Sequence, residues 1–197
     1  TAQMLCVYLL TLKFAQKHGV DVSERLKIVR TLPDVVEETF EFRKKVVQLA
    51  KLLKRKKNIV ITADGISYAL AKEASLKIKE TSYLNINANI LGEFMHGHVA
   101  VLNNSCSLIY ISASGVSYTA MKNLTKIKND YNPPIYIIGR SHENIVPNLN
   151  ITIDNDDATM RMFSNAVIIQ MLALEMALLL GRNVDKPKGL HKVVKEN

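Results

Sequence analysis

The sequence predicts an α/β fold: a three-layer α/β/α sandwich around a mostly parallel sheet, preceded by a helical connector. Two observations carry that prediction. From residue 58 onward, short runs that are almost wholly apolar alternate with longer segments of helical periodicity, and glycine, serine or aspartate follows the runs and opens the next helix. Strands that read as continuous apolar runs are buried on both faces, as in a parallel sheet covered by crossover helices.

The elements follow in order. Residues 2–18 form an apolar helix through Leu5, Leu9 and Leu12, closed by Gly19. A second helix spans about 23–31. Pro33 starts a third, which runs through Val36, Phe40, Val47, Leu49 and Leu53 to a basic end at 51–57. The period then shortens. Residues 58–62 (NIVIT) read as a strand, followed by Asp64-Gly65 and a helix over 67–80; residues 107–112 (SLIYIS) repeat the unit, running into Gly115 and a helix to about Lys128. A third strand lies at 135–139, a short fourth at 151–153, and a long apolar helix at 158–181 ends on Gly181. The organisation expected is therefore a helical connector over 1–56, an α/β domain over 57–181, and a polar, proline-punctuated tail over 182–197 lying across the surface.

Composition narrows the function classes. The chain has 197 residues, 48% of them hydrophobic, enough for one substantial core. The net charge of +8 is scattered, and its one dense run complements a helix C-terminus, so nucleic acid is not expected as a partner. Cys6 and Cys106 sit in apolar runs and read as buried thiols of a reducing, cytoplasmic compartment. The first fourteen residues are too short for a membrane span and lack a leader's basic start. No membrane association is expected. A start inside a helical pattern, without methionine, leads us to expect sequence upstream.

In open parallel sheets, ligands bind beyond the carboxyl ends of strands. After the second predicted strand, Ser112, Ser114, Gly115 and Ser117 stand between strand and helix. Such a loop can cradle a phosphate with hydroxyls and amides, or can simply cap the helix and turn the chain. Both readings stay open. On the helix over 67–80, Glu73, Lys77 and Glu80 share a face, as a surface ion pair or as a general base beside a proton donor. Spacing does not separate these either. His96 and His98 form an H-x-H with no third ligand nearby, so a metal is not expected, and His98 reads as a solvated loop residue.

Ordered motifs then join into a family pattern. The stretch AKEASLKIKETSYL at 71–84 resembles LEGALKLKEISYI of the glucosamine-6-phosphate synthase family; LGEFMHGHVAVL at 91–102 resembles its AGELKHGPLALI. The end, GRNVDKPKGLHKVVKEN, is similar to GTDVDQPRNLAKSVTVE, and the opening TAQMLCVYLLTL resembles the last helix of that family's first sugar-isomerase (SIS) domain. The resemblance spans nearly the whole chain. It departs at Ala63-Asp64-Gly65, where the family has Gly-Arg-Gly, at Asn87 in place of glutamate, and at His98 in place of proline.

The resemblance implies a second SIS domain that takes part in converting fructose 6-phosphate and ammonia to glucosamine 6-phosphate. It implies Glu80 as the enediol base, Lys77 as a helping acid, Lys192 as the ring-opening or Schiff-base lysine on a tail, 182–197, that lies over the active site, and His96 as a residue given to a neighbouring subunit's site. Glu73 and the loop of Ser112, Ser114, Gly115 and Ser117 are the expected substrate contacts. The implied partners are a sugar phosphate, a second copy of the chain in a homodimer, an upstream first SIS domain and a glutamine amidotransferase domain. No cofactor is implied, because proton transfer next to a carbonyl needs none. A phosphosugar deaminase or deglycase, and a non-catalytic phosphosugar-binding regulatory module, are the alternatives.

Overall fold

The computed structural model describes residues 1–189. Four helices lead: α1 (Ala2–Lys17), α2 (Ser23–Arg30), α3 (Leu32–Thr39) and α4 (Arg43–Leu53). The α/β part follows as β1 (Ile59–Ala63), α5 (Ser67–Ser82), β2 (Ile86–Ile90), α6 (Leu91–Phe94), β3 (Ser107–Ser112), α7 (Tyr118–Tyr131), β4 (Ile135–Gly139), β5 (Leu149–Ile151) and α8 (Ala158–Leu179). All paired strands are parallel, in the order β2-β1-β3-β4-β5. This is the three-layer α/β architecture that the apolar runs predict.

Every residue of β1, β3 and β4 is buried, which explains their unbroken apolar character. On one face of the sheet α4, α5 and α8 pack through Leu49, Leu53, Ile78, Ile168 and Leu172, each at most 1% exposed. The other face is covered by α6 and α7 through Phe94, Leu124 and Ile127. Burying side chains of this size stabilises by about 1.5–3 kcal/mol each. By length and composition α8 could cross a membrane, but 72% of its apolar window is buried inside the protein. It is the central core helix. Its first turns also hold α3, through Leu32 and Val35 against Met160 and Phe163.

The structure differs from the sequence reading at four places. A fifth strand, β2, pairs with β1 from Ile59–Ile86 to Ala63–Ile90. Its sequence, INANI, carries two asparagines of low strand propensity, and as an edge strand it buries only Ile86. The last strand pairs at 149–151 instead of 151–153. The third predicted helix is broken by a tight 3-10 turn at Phe40–Phe42, so α3 and α4 are separate. Finally, α1 buries only Leu12, while Val7, Leu10 and Phe14 form an exposed stripe and Cys6 is exposed too, contrary to the buried thiol expected. An apolar helix needs only one face to dock, and the described chain covers only that face.

From β1 the chain goes to β2 on one side and then to β3 on the other. The carboxyl ends of β1 and β3 therefore flank the switch point of the sheet, where a crevice forms.

Candidate active site

Helix α5 turns Leu70, Ala71, Ala74 and Ile78 inward and leaves Glu73, Lys77 and Glu80 on its half-open face. The Lys77 ammonium lies 3.1 Å from Glu80 Oε2 and 3.8 Å from Glu73 Oε1. Lys77 is held charged, its pKa raised above the usual lysine value first by the hydrogen bond to Glu80, against a smaller opposing effect of burial. The end of the helix is fixed in place. The Thr81 hydroxyl reaches the carbonyls of Lys77 at 2.9 Å and Ala173 at 3.2 Å, tying the last turn to α8, and Ser75 Oγ donates to Ile86 O at 2.8 Å, tying the helix to β2. A carboxylate with a cation beside it, on a rigid helix, can take a proton from carbon while the cation steadies developing negative charge on oxygen. Next to it a groove of about 630 Å³ opens between α5 and the edge strand β2, lined by Tyr68, Lys72, Glu73, Leu76, Lys79 and Asn87.

The loop after β3 is built differently from a free cradle. Ser117 caps α7, its hydroxyl accepting from Ala120 N at 3.1 Å. Ser112 is 2% exposed and its hydroxyl has no partner among the described residues. The Ala113 amide donates to Ser67 Oγ at 3.0 Å, and the Ala113 carbonyl accepts from the buried Arg161 guanidinium. Ser114 is exposed, and Gly115 turns the chain at φ +94°. In the crevice beside this loop the buried Tyr110 hydroxyl donates to Asp64 Oδ2 at 3.0 Å, and burial, with the Asp64 charge, pushes the phenol's pKa up. The crevice therefore carries a carboxylate.

These residues fall at two ends of the molecule. Because β1 and β2 are parallel, α5 runs back from the carboxyl edge of the sheet, so Glu80 comes near the amino edge, just before β2 begins. His96 follows β2 and α6, at the carboxyl edge, and is exposed. The five residues of β2 alone span roughly 13 Å. Glu73, Lys77 and Glu80 are thus brought together, whereas Ser112, Ser114, Gly115 and Ser117 lie at the opposite edge with His96. Lys192 lies outside the described residues.

Sequence reasoning missed some polar groups. Arg161, Ser164 and Asn165 are each at most 4% exposed on one face of α8; Arg161 anchors the β3 loop, and burial, then Arg140 nearby, lower its pKa. Polar residues at i, i+3 and i+4 in an otherwise apolar helix were the available signal.

Comparison with known proteins gives the lineage. A glutamine–fructose-6-phosphate aminotransferase (isomerizing) of Pyrococcus horikoshii is 28% identical over 199 residues, covering 98% of this chain and 33% of its own length. The chain thus spans about a third of such curated relatives. Among solved structures, the C-terminal domain of glucosamine-fructose-6-phosphate aminotransferase from Francisella tularensis superposes with a TM-score of 0.80 at 17% identity, covering 91% of this chain and 52% of that one. Glucosamine-6-phosphate deaminase from Thermotoga maritima follows the same fold with a TM-score of 0.65 at 20% identity, over 91% of this chain and 52% of that one. The SIS domain family model matches residues 52–180, from the end of α4 to the end of α8, and the chain belongs to that family.

Proposed function

We propose that this chain is the catalytic isomerase part of a phosphosugar enzyme that forms glucosamine 6-phosphate from fructose 6-phosphate and ammonia. One observation carries the reading: the Lys77 ammonium held between Glu80 and Glu73 on the half-open face of α5, within the stretch that resembles the synthase family. Relatives named for that reaction, aligned over 98% of the chain, support it.

In this mechanism ammonia replaces the open-chain ketone oxygen at C2, and water leaves. Glu80 removes a proton from C1, and the electron pair of that C–H bond forms the C1–C2 double bond as the C2–N π pair of the protonated imine moves onto nitrogen. The same carboxyl returns the proton to C2 while the C1 hydroxyl gives its proton to solvent and becomes the carbonyl. Lys77 remains protonated and steadies negative charge on the substrate oxygens. Glu73 keeps that ammonium in place and contacts substrate from the adjacent groove. Lys192 acts in ring opening or as the Schiff-base lysine. His96 serves the site of a neighbouring subunit, a role supported by its place at the opposite sheet edge from Glu80.

For the β3 loop, the geometry favours the helix cap. Ser117 and the Ala113 amide already have partners, Ser112 is buried, and Asp64, bonded to Tyr110 of β3, puts a carboxylate in the same crevice. We therefore place the phosphate on an upstream SIS domain. The relatives, three times as long, leave room for one, and the exposed stripe of Val7, Leu10 and Phe14 on α1 is a face for it to cover. We read residues 1–56 as the end of that domain and its connector, and the whole as a cytoplasmic homodimer.

The experiment is subunit complementation in the full-length protein. Glu80→Gln and His96→Ala homodimers should each be nearly inactive, and mixed dimers should recover about a quarter to a half of wild-type turnover. An active Glu80→Gln homodimer would remove the base from the mechanism. Absence of recovery would put His96 in its own chain's site.

A further inference from the structure

Tyr83 is an unusual way to end a helix. It follows α5 in the left-handed region at φ +62°, where glycine and asparagine are at ease and an aromatic residue is not. Its side chain does not compensate by entering the core, for the residue is 41% exposed. Its partners come from the other end of the described chain. After α8, the Arg182 guanidinium lies over the ring, 5.1 Å from its centroid, and the Lys188 amide donates to the Tyr83 hydroxyl at 2.6 Å. Between these contacts Asn183 Oδ1 accepts from the amides of Asp185 at 2.9 Å and Lys186 at 3.2 Å, a local turn that brings both ends of the segment back to one ring. Pro187 stiffens the approach to Lys188.

We propose that Tyr83 is a positioning residue, which pins the returning chain to the end of α5 that carries Lys77 and Glu80. The proposal rests on the reading of Glu80 and Lys77 as the proton-transfer pair. Reach agrees with it. Tyr83 stands three residues beyond Glu80, roughly 4.5 Å along the helix axis. Lys192 follows the pinned Lys188 by four residues, so an anchor at Tyr83 sets an upper limit of about 14 Å of chain between that anchor and the lysine. A chain end attached only through α8 would have a looser limit, roughly 45 Å of chain beyond Leu179, and its lysine would meet the substrate less often.

The test uses the full-length protein with Tyr83→Asn, Tyr83→Phe, Arg182→Ala and, as a control, Glu80→Gln. Asparagine tolerates the left-handed backbone, so Tyr83→Asn removes the ring while sparing the helix end. Arg182→Ala weakens the clamp without touching α5, should the first variant fold poorly. Two readouts are taken: hydrogen exchange at the Lys188 amide, and kcat and KM for fructose 6-phosphate. Tyr83→Asn should speed exchange at Lys188 by roughly tenfold and lower kcat by a similar factor, with KM changed much less. Tyr83→Phe keeps the ring but not the acceptor oxygen and should fall between, and Arg182→Ala should shift the same two readouts in the same direction. Unchanged exchange in Tyr83→Asn overturns the clamp. Faster exchange with wild-type kcat overturns the positioning role. In both cases an inactive Glu80→Gln control leaves the proposed function standing, whereas an active one removes that function and the positioning role together.

Discussion

Replacing Gly139 by alanine is expected to cost clearly more than the same change at Gly115, although both have positive φ, +108° and +94°. A Cβ at Gly139 would lie 2.0 Å from the Ser112 carbonyl oxygen and 2.8 Å from its carbon, whereas at Gly115 nothing lies within 4 Å. The obstacle is backbone in a central strand. That oxygen also accepts from Arg140 N at 3.0 Å, so relieving the contact parts β3 from β4 and breaks a bond of their junction. Positive φ in alanine costs about 1–2 kcal/mol, and an orphaned buried backbone group about 1–3 kcal/mol. Gly115→Ala should therefore lose about 1–2 kcal/mol and Gly139→Ala about 2–5 kcal/mol, out of a total near 5–15 kcal/mol for a typical domain. Urea denaturation at unchanged m-value measures both. Equal losses, or a larger loss at Gly115, would refute the steric argument.

Two further outcomes follow from named contacts. Asp157 caps α8 by accepting from Thr159 N at 2.9 Å and Met160 N at 3.0 Å, and it pairs with Arg25; Asp157→Ala should cost about 2–3 kcal/mol at neutral pH. Burial alone would raise its pKa, but Arg25 and the two amides outweigh burial and lower it. Its contribution is therefore complete above about pH 4, the unfolded-state value, and fades as pH falls through the lower folded value, so thermal melts of wild type and variant should converge in acid. Asp64→Asn removes the carboxylate from the β1–β3 crevice and should tighten inorganic phosphate binding there by roughly fivefold in an NMR titration; unchanged affinity would mean that Asp64 does not govern the crevice.

What could be read in advance depended on how strongly burial marks a residue. β1, β3 and β4 are buried on both faces, and their apolar runs are unmistakable. β2 buries one residue and pairs on one side, so INANI left no periodic trace. The grouping of Glu73, Lys77 and Glu80 was legible because helical spacing alone sets it. Which end of the sheet each candidate occupies was not, since that depends on the path from β1 to β2 and back across to β3. The loop from Ser112 to Ser117 was ambiguous for a related reason: the partners that occupy it, Ser67 and Arg161, lie 46 and 48 residues away along the chain from Ala113. Tyr83 shows the same limit, since its partners are about a hundred residues downstream.

The central claim is that Glu80 carries a proton between two neighbouring carbons of a phosphosugar. Incubating the full-length protein with fructose 6-phosphate and ammonia in deuterated water, and following C1 by proton NMR, tests it. Wild-type protein should wash out one of the two C1 hydrogens stereospecifically, and Glu80→Gln should slow that loss by at least roughly a hundredfold, with substrate affinity little changed. Loss of the C1 hydrogen at the wild-type rate in Glu80→Gln would contradict the account.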